Sequence, residues 1–264
     1  MELTGSHVLV TGASRGLGAG LARAFAAAGA RVSLVARSAD AITALAEELD
    51  GVAVAADLLD PAQVAGLIER VEGAAGAPVD VLVNNAGIDL TQGLGDFDHG
   101  DLSRITELNL VVPMELSRQA IPGMVERGRG HIVNVSSMAG TAVLPGMGPY
   151  AATKAALTQF TAALRAELRG LPVGTTVIEV GLVPTDMRDS VLGYEPTAAS
   201  FRRLYRLQLL PDTPADRLCA ATVSAVRGGR RHVRRPRRAA LFSMLAEAPR
   251  RMTEWTLAGV KPRP

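Results

Sequence analysis

The chain has 264 residues, a net charge of +2 and 48% hydrophobic residues, with aromatics only 3% of the whole. That length suffices for one large α/β domain with a substantial core, and so small a net charge excludes a polycation. The one cysteine, Cys219, excludes an intramolecular disulfide and a cysteine-based zinc site. No apolar run approaches the ~18 residues of a membrane span and no secretion signal is visible, so a cytoplasmic protein is expected.

Strand-like and helix-like segments alternate from the start. His7–Thr11 reads as a strand and Leu17–Ala28 as a helix. Arg31–Ala36 is a second strand, Ala39–Leu49 a helix, Val52–Ala56 a third strand and Pro61–Ala75 a third helix. Val79–Asn84 is the fourth strand, followed by a long helix over Leu102–Arg127. His131–Val135 is the fifth strand, Pro149–Arg169 a helix and Thr175–Val180 the sixth strand. Residues 185–211 carry no clean period and are expected to form a substrate loop or lid, or an ordinary surface excursion. Pro214–Val226 looks helical again, and Arg231–Arg235 is a candidate seventh strand. Apolar strands alternating with helices imply βαβ units. The expected fold is therefore α/β, a doubly wound parallel sheet of about seven strands with helices on both faces. No linker divides residues 1–264, so a single domain is expected, with ligands at the carboxyl ends of the strands.

Two motifs carry chemistry. Tyr150 and Lys154 stand four apart in Pro149-Tyr150-Ala151-Ala152-Thr153-Lys154, which opens a helix and puts both on one face. An ammonium beside a phenol favours the phenolate and lowers its pKa from the usual ~10, suiting it to proton transfer. The first strand runs into Thr11-Gly12-Ala13-Ser14-Arg15-Gly16-Leu17-Gly18. A glycine-rich turn between strand and helix lets backbone approach a pyrophosphate at the helix N-terminus.

With these motifs the sequence resembles the short-chain dehydrogenase/reductase family in its single-domain branch, whose turn is Thr-Gly-x-x-x-Gly-x-Gly. Further matches follow in the family's order: Asn84-Asn85-Ala86-Gly87 after the fourth strand, Asn109 in the long helix, and Ser136-Ser137 after the fifth strand, thirteen residues before Tyr150. The resemblance covers about residues 5–190 and implies a Rossmann-like fold. It also implies that Tyr150 is the general acid in carbonyl reduction, or the base in alcohol oxidation. Lys154 would lower the tyrosine's pKa and hold the nicotinamide ribose, and Ser137, rather than Ser136, would bond the substrate oxygen. Asn109 would support a water linking Lys154 to solvent. The cofactor set implied is Gly12, Ser14, Arg15, Gly16, Leu17, Gly18, Arg37, Asp57, Leu58, Asn84, Ala86, Gly87, Tyr150, Lys154, Val183 and Thr185. The family's Pro-Gly-x-x-x-Thr is here Val180-Gly181-Leu182-Val183-Pro184-Thr185, with valine for the first proline. Val112 and Pro113 replace the small residues usual after Asn109.

An acidic residue at the end of the second strand would bond the ribose hydroxyl of NAD, whereas arginine accommodates the phosphate of NADP. The strand ends Ala36-Arg37, and Arg15 lies in the glycine turn. NADP(H) is therefore expected over NAD(H).

Residues 227–264 form a basic strand plus an amphipathic extension. Seven arginines lie between Arg227 and Arg238, followed by Leu241, Met244, Leu245, Ala248, Met252 and Trp255 at helical spacing, with Pro249 expected to break or kink that helix. An anionic membrane surface would suit such a segment. Scarce aromatics weigh against nucleic acid, and a solvated edge strand with a packed helix is the favoured reading. The expected activity is an NADP(H)-dependent interconversion of a carbonyl and an alcohol on an apolar small molecule, and the family resemblance implies a homodimer or homotetramer built through the two long helices. The alternative is a non-catalytic dinucleotide-binding regulator on the same fold.

Overall fold

His7–Thr11 is short, apolar and buried at every residue, as a strand covered by helices on both faces must be. It is an interior strand of an all-parallel sheet. The computed structural model of the chain describes residues 1–183, 191–209, 211–236 and 240–256. Thr185, Arg237 and Arg238 lie outside these described residues, as do the side chains of Leu241 and Trp255.

The elements in chain order are β1 (His7–Thr11), α1 (Gly16–Ala27), β2 (Arg31–Ala36), α2 (Ala39–Leu49), β3 (Val52–Ala55), α3 (Pro61–Val64) and α4 (Leu67–Ala75). Then come β4 (Val81–Asn84), α5 (His99–Thr106), α6 (Val112–Glu126), β5 (Gly130–Ser137), α7 (Gly148–Glu167) and β6 (Val173–Val180). The chain ends with α8 (Glu195–Arg206), α9 (Ala215–Arg227), β7 (His232–Arg235) and α10 (Ala240–Thr256). The strand order is β3-β2-β1-β4-β5-β6-β7, and every pairing is parallel. The order reverses between β1 and β4, and a crevice opens there at the strands' carboxyl ends.

Each face of the sheet has its own core. On one, Phe25 and Leu21 of α1 and Leu218 and Val226 of α9 cover Val8, Val10 and Ile178. On the other, Leu67 of α4, Leu116 and Met124 of α6 and Leu164 of α7 cover Leu9, Leu82 and Ile132. A fully buried Leu or Phe contributes about 1.5–3 kcal/mol, so these two layers carry most of the stability.

Four elements depart from the expectations. The helix expected over Pro61–Ala75 is two, α3 and α4, with the chain turning at Ala65–Gly66. The long helix starts at His99 and opens into a π-turn over Glu107–Val111 before α6. Pro113 explains the register change: it has no N–H to give the carbonyl of Asn109 four residues earlier, and the wider turn absorbs that gap. Residues 195–206, expected to lack a pattern, form α8, whose Thr197, Ala198 and Phe201 face inward; three arginines mask that stripe in the sequence. Finally, α10 runs through Pro249.

The basic strand is only partly solvated. Arg234 turns inward, with Nε 2.6 Å from Glu179 of β6 and a second ion pair to Glu247 of α10. His232 bridges the same two carboxylates at 3.2 and 2.7 Å. Burial pushes Glu179 up, but His232 and Arg234 outweigh it and hold its carboxyl below the usual range. This cluster ties α10 to the sheet edge. Among the described residues, no helix is long and apolar enough to cross a membrane.

Candidate active site

At the β1–α1 turn, Arg15 is the residue that caps α1, and its side chain makes no capping bond. The first N–H groups of the helix therefore point into the crevice with their dipole, a ready anion site. Gly18 closes this turn because a Cβ there would run into the carbonyl of Gly12 and lie 2.6 Å from Asn85 Nδ2. Asn85 holds the turn from the neighbouring strand: its Nδ2 donates to Thr11 O at 2.9 Å and Gly12 O at 3.2 Å. Thr11 Oγ1 in turn accepts from the N–H groups of Asn85 and Ala86 at 3.0 and 3.1 Å.

A cleft of about 1330 Å³ runs from this turn to Tyr150 and on beneath α8. Gly12, Ser14, Arg15, Gly16, Leu17 and Gly18 line one end, with Ala36, Arg37, Asp57 and Leu58 beside them. Ala86, Gly87, Ser137, Tyr150, Lys154 and Val183 line the middle. Nearly all of the expected cofactor set thus shares one cavity. Asn84 does not, and its side chain requires a correction. As the last residue of β4 it turns away from the cleft, where its Nδ2 donates to Asn134 Oδ1 of β5 at 2.9 Å and to Pro113 O of α6 at 3.3 Å. Alternation along the strand sends Asn85, not Asn84, to the cleft. Asn85 and Thr11 are functional supports that the expected set omitted; the Asn-Asn repeat gave no sign of which would face in.

Tyr150 and Lys154 both stand on the buried stripe of α7, with Thr153, Leu157 and Thr161. That stripe holds several hydroxyls, and it is tolerated because Thr158 and Thr161 bond back to the carbonyls of Lys154 and Leu157 at 3.0 and 2.7 Å. Lys154 Nζ lies 5.7 Å from the centre of the Tyr150 ring and donates to Val135 O at 3.0 Å. Burial alone brings its ammonium down to about 8. Tyr150 behaves differently from the sequence expectation. Burial pushes its phenol up to about 12; the Ser137 hydrogen bond lowers it, and the charge of Asp89 raises it further. The ammonium sits over the ring face rather than at the hydroxyl, so desolvation wins over charge attraction.

Ser136 and Ser137 have different surroundings. Ser136 Oγ is consumed by Lys154 O at 2.8 Å and Thr158 Oγ1 at 2.7 Å, which locks α7 to β5. Ser137 Oγ accepts from Ala139 N at 3.1 Å and reaches Tyr150, so two hydroxyls meet at the cleft wall. Asn109 is fully buried and does not line the cleft. Its Oδ1 accepts from Ile88 N and its Nδ2 donates to Ile88 O, both at 2.9 Å. It clamps the strand end that carries Gly87, and a Cβ on Gly87 would lie 2.9 Å from Asn109 Oδ1 and 3.4 Å from Lys154 Nζ.

A third, small apolar cluster roofs the site: Ala139, Met147, Tyr150, Val191 and Phe201. One side of this roof depends on Gly146 at φ +81, where a Cβ would run into Tyr194 Cδ1 and sit 2.8 Å from Thr197 Oγ1. Thr197 Oγ1 donates to Pro145 O at 2.5 Å, which seats α8. Among the described residues, no cluster of histidine, cysteine or carboxylate could hold a metal ion.

These features suit a nicotinamide dinucleotide: an uncapped helix start for the pyrophosphate, a glycine cradle that a Cβ would fill, and a deep cleft leading to Tyr150. Comparison with known proteins agrees. The sequence profile described as short chain dehydrogenase matches residues 6–194. Ketoacyl reductase HetN of Nostoc sp. is 39% identical over 186 residues, which is 69% of this chain and 64% of that protein. Oxidoreductase UcpA of Escherichia coli is 37% identical over 196 residues, 72% of this chain and 74% of that one. The match thus spans just under two thirds of HetN's length. Among solved structures, a short-chain dehydrogenase from Sphingobium yanoikuyae in complex with NADPH superposes with a TM-score of 0.80 at 26% identity, covering 97% of this chain and 98% of that one. A short-chain dehydrogenase/reductase from Burkholderia phymatum in complex with NAD superposes at 0.79 and 25% identity, covering 100% and 99%. The chain belongs to the short-chain dehydrogenase/reductase family.

Proposed function

We propose that this chain is an NADP(H)-dependent enzyme that interconverts a carbonyl and an alcohol on an apolar small molecule. The observation that carries this reading is the meeting of the Ser137 and Tyr150 hydroxyls beside Lys154, in the same cleft as the glycine turn. The cofactor supplies or accepts the hydride. Ser137 and Tyr150 orient the substrate oxygen and stabilise the charge that develops on it. In reduction Tyr150 Oη gives its proton to that oxygen. A phenol held up at about 12 is fully protonated at neutral pH, which suits it to this direction. In oxidation the same oxygen must first lose its proton, so that direction is favoured by high pH. Lys154, between Val135 O and the ring, is placed to hold a ribose hydroxyl. Asn109 acts through Ile88 and Gly87 as a positioning residue.

Arg15 and Arg37 line the adenosine end, and no carboxylate follows Ala36 at the end of β2. Both features favour a 2′-phosphate over a 2′-hydroxyl. The relative named as a ketoacyl reductase supports the reductive direction. One continuous sheet from β3 to β7 supports a single domain. Leu102 and Val111 are exposed on the long helical arm, which supports packing of α5, α6 and α7 against a second copy in a cytoplasmic homo-oligomer. The test is oxidation of NADPH and of NADH against a panel of ketones and aldehydes. Turnover that prefers NADPH and vanishes in Tyr150→Phe supports the reading; a strong NADH preference overturns the cofactor assignment. Light scattering of the purified chain decides the oligomer.

A further inference from the structure

Under α8 the cleft is lined differently from the rest. Ser200, Arg203, Leu204 and Leu207 all line it, and their spacing of three, four and seven puts them on one face of the helix. Leu144 and Met147 line the opposite wall. The mouth is rimmed by apolar side chains in water: Val143 is 97% exposed and Leu207 57%. Bare apolar surface on both lips of a cleft marks a place where a ligand's own apolar chain belongs.

Charge then gives this arm a direction. Arg202 and Arg203 are consecutive but diverge around the helix. Arg202 pairs with Glu195 at 2.5 Å, whereas Arg203 lines the cleft and makes no ion pair among the described residues. At the reacting end Asp89 lines the same cavity, near enough for its charge to act on Tyr150. Lys154 and Asp89 bring opposite charges to the Tyr150 end, whereas Arg203 brings positive charge to the α8 end and attracts an anionic group there. Arg15 and Arg37 lie in the other arm, where the dinucleotide belongs.

We infer that the substrate is amphipathic: an apolar chain with its carbonyl at Tyr150 and an anionic group at the remote end, which Arg203 binds. This rests on the oxidoreductase reading above and adds to it the substrate's polarity and orientation.

The test uses a medium-chain fatty acid bearing a methyl ketone at the end remote from its carboxylate, together with its methyl ester. In the wild type kcat/KM should favour the acid by about three- to fivefold, the size expected of a partly exposed ion pair, and the preference should shrink as salt is added. It should disappear in Arg203→Gln, return in Arg203→Lys, and persist in Arg202→Gln. Lengthening the chain should raise kcat/KM by at most about fourfold per methylene. Equal use of acid and ester by the wild type, or an acid preference unchanged in Arg203→Gln, overturns the inference while leaving the oxidoreductase reading intact. Binding is measured separately, by displacement of a dansyl-labelled fatty acid from the NADP-loaded protein. Displacement that depends on Arg203 without any turnover upholds the binding inference and sinks the oxidoreductase reading instead. Neither displacement nor turnover overturns both.

Discussion

The two ends of the cleft are built on opposite principles. At the β1–α1 end the wall is backbone: the turn from Gly12 to Gly18, the uncapped start of α1, and the amide of Asn85 that braces them. At the α8 end the wall is side chain: Leu144 and Met147 from the loop before α7, Val191 from the stretch before α8 and Phe201 from α8 itself, packed around Tyr150. A pyrophosphate has fixed charge and geometry, so the chain that binds it must follow one path. An apolar substrate demands only shape and area, which many side-chain combinations provide. Tyr150 stands where the two ends meet.

The sharpest way to separate the ends is to disable that junction. Tyr150→Phe removes the proposed proton donor yet leaves both walls in place. It should cut kcat/KM by about 10²- to 10⁴-fold while NADPH binding, followed by fluorescence, stays near wild type. Loss of cofactor affinity on a similar scale would mean that the ends are not independent.

The backbone end is challenged next by Ala36→Asp, which places a carboxylate at the end of β2. It should repel a 2′-phosphate and accept ribose hydroxyls, shifting the NADPH-to-NADH ratio of kcat/KM by roughly tenfold to a hundredfold. An unchanged ratio would show that Arg37 does not face the cofactor.

A region outside both ends provides the control. His131 is the second residue of β5, away from the cleft, with Nε2 2.8 Å from Thr176 Oγ1, and burial brings its imidazole down to about 4. Above pH ~6.5 both folded and unfolded forms are neutral there. Between ~6.5 and 4 only the unfolded chain takes up the proton, so stability falls as pH falls, by roughly 3 kcal/mol at pH 4. Urea titrations of wild type and His131→Gln should converge as the pH approaches 4. A constant difference between them across that window would contradict the neutral, buried imidazole.

The side-chain end yields the smallest effect. Gly146→Ala strains a left-handed turn by about 1 kcal/mol and crowds the Tyr194 ring and Thr197, loosening the seat of α8. KM for a long apolar ketone should rise about threefold to tenfold, with KM for NADPH unchanged. A rise in both would place α8 over the cofactor as well.

These contrasts also explain what could be read from the amino acids alone. The alternation of strands and helices was legible because burial on both faces forces near-continuous apolar strands. The glycine turn, Ser137, Tyr150 and Lys154 were legible because each requires a particular residue at a particular spacing. The helix α8 was not, since its few inward residues lie among three arginines and its helicity comes from packing over the cleft. The π-turn at Asn109 depended on the missing N–H of Pro113, a local cause whose consequence shows only in three dimensions.

The sequence by itself determined the sheet, the glycine turn and the placing of Tyr150 and Lys154 on one helix face, because local backbone geometry and residue chemistry are encoded within short segments. Only the tertiary structure decided that Asn85 rather than Asn84 faces the cleft and that Asn109 clamps Ile88. It likewise decided that Arg234 is buried against two carboxylates and that Tyr150 holds its proton far above neutrality. Each of these depends on which distant segments exclude water from a group, and desolvation is a property of the packed neighbourhood, not of the residue.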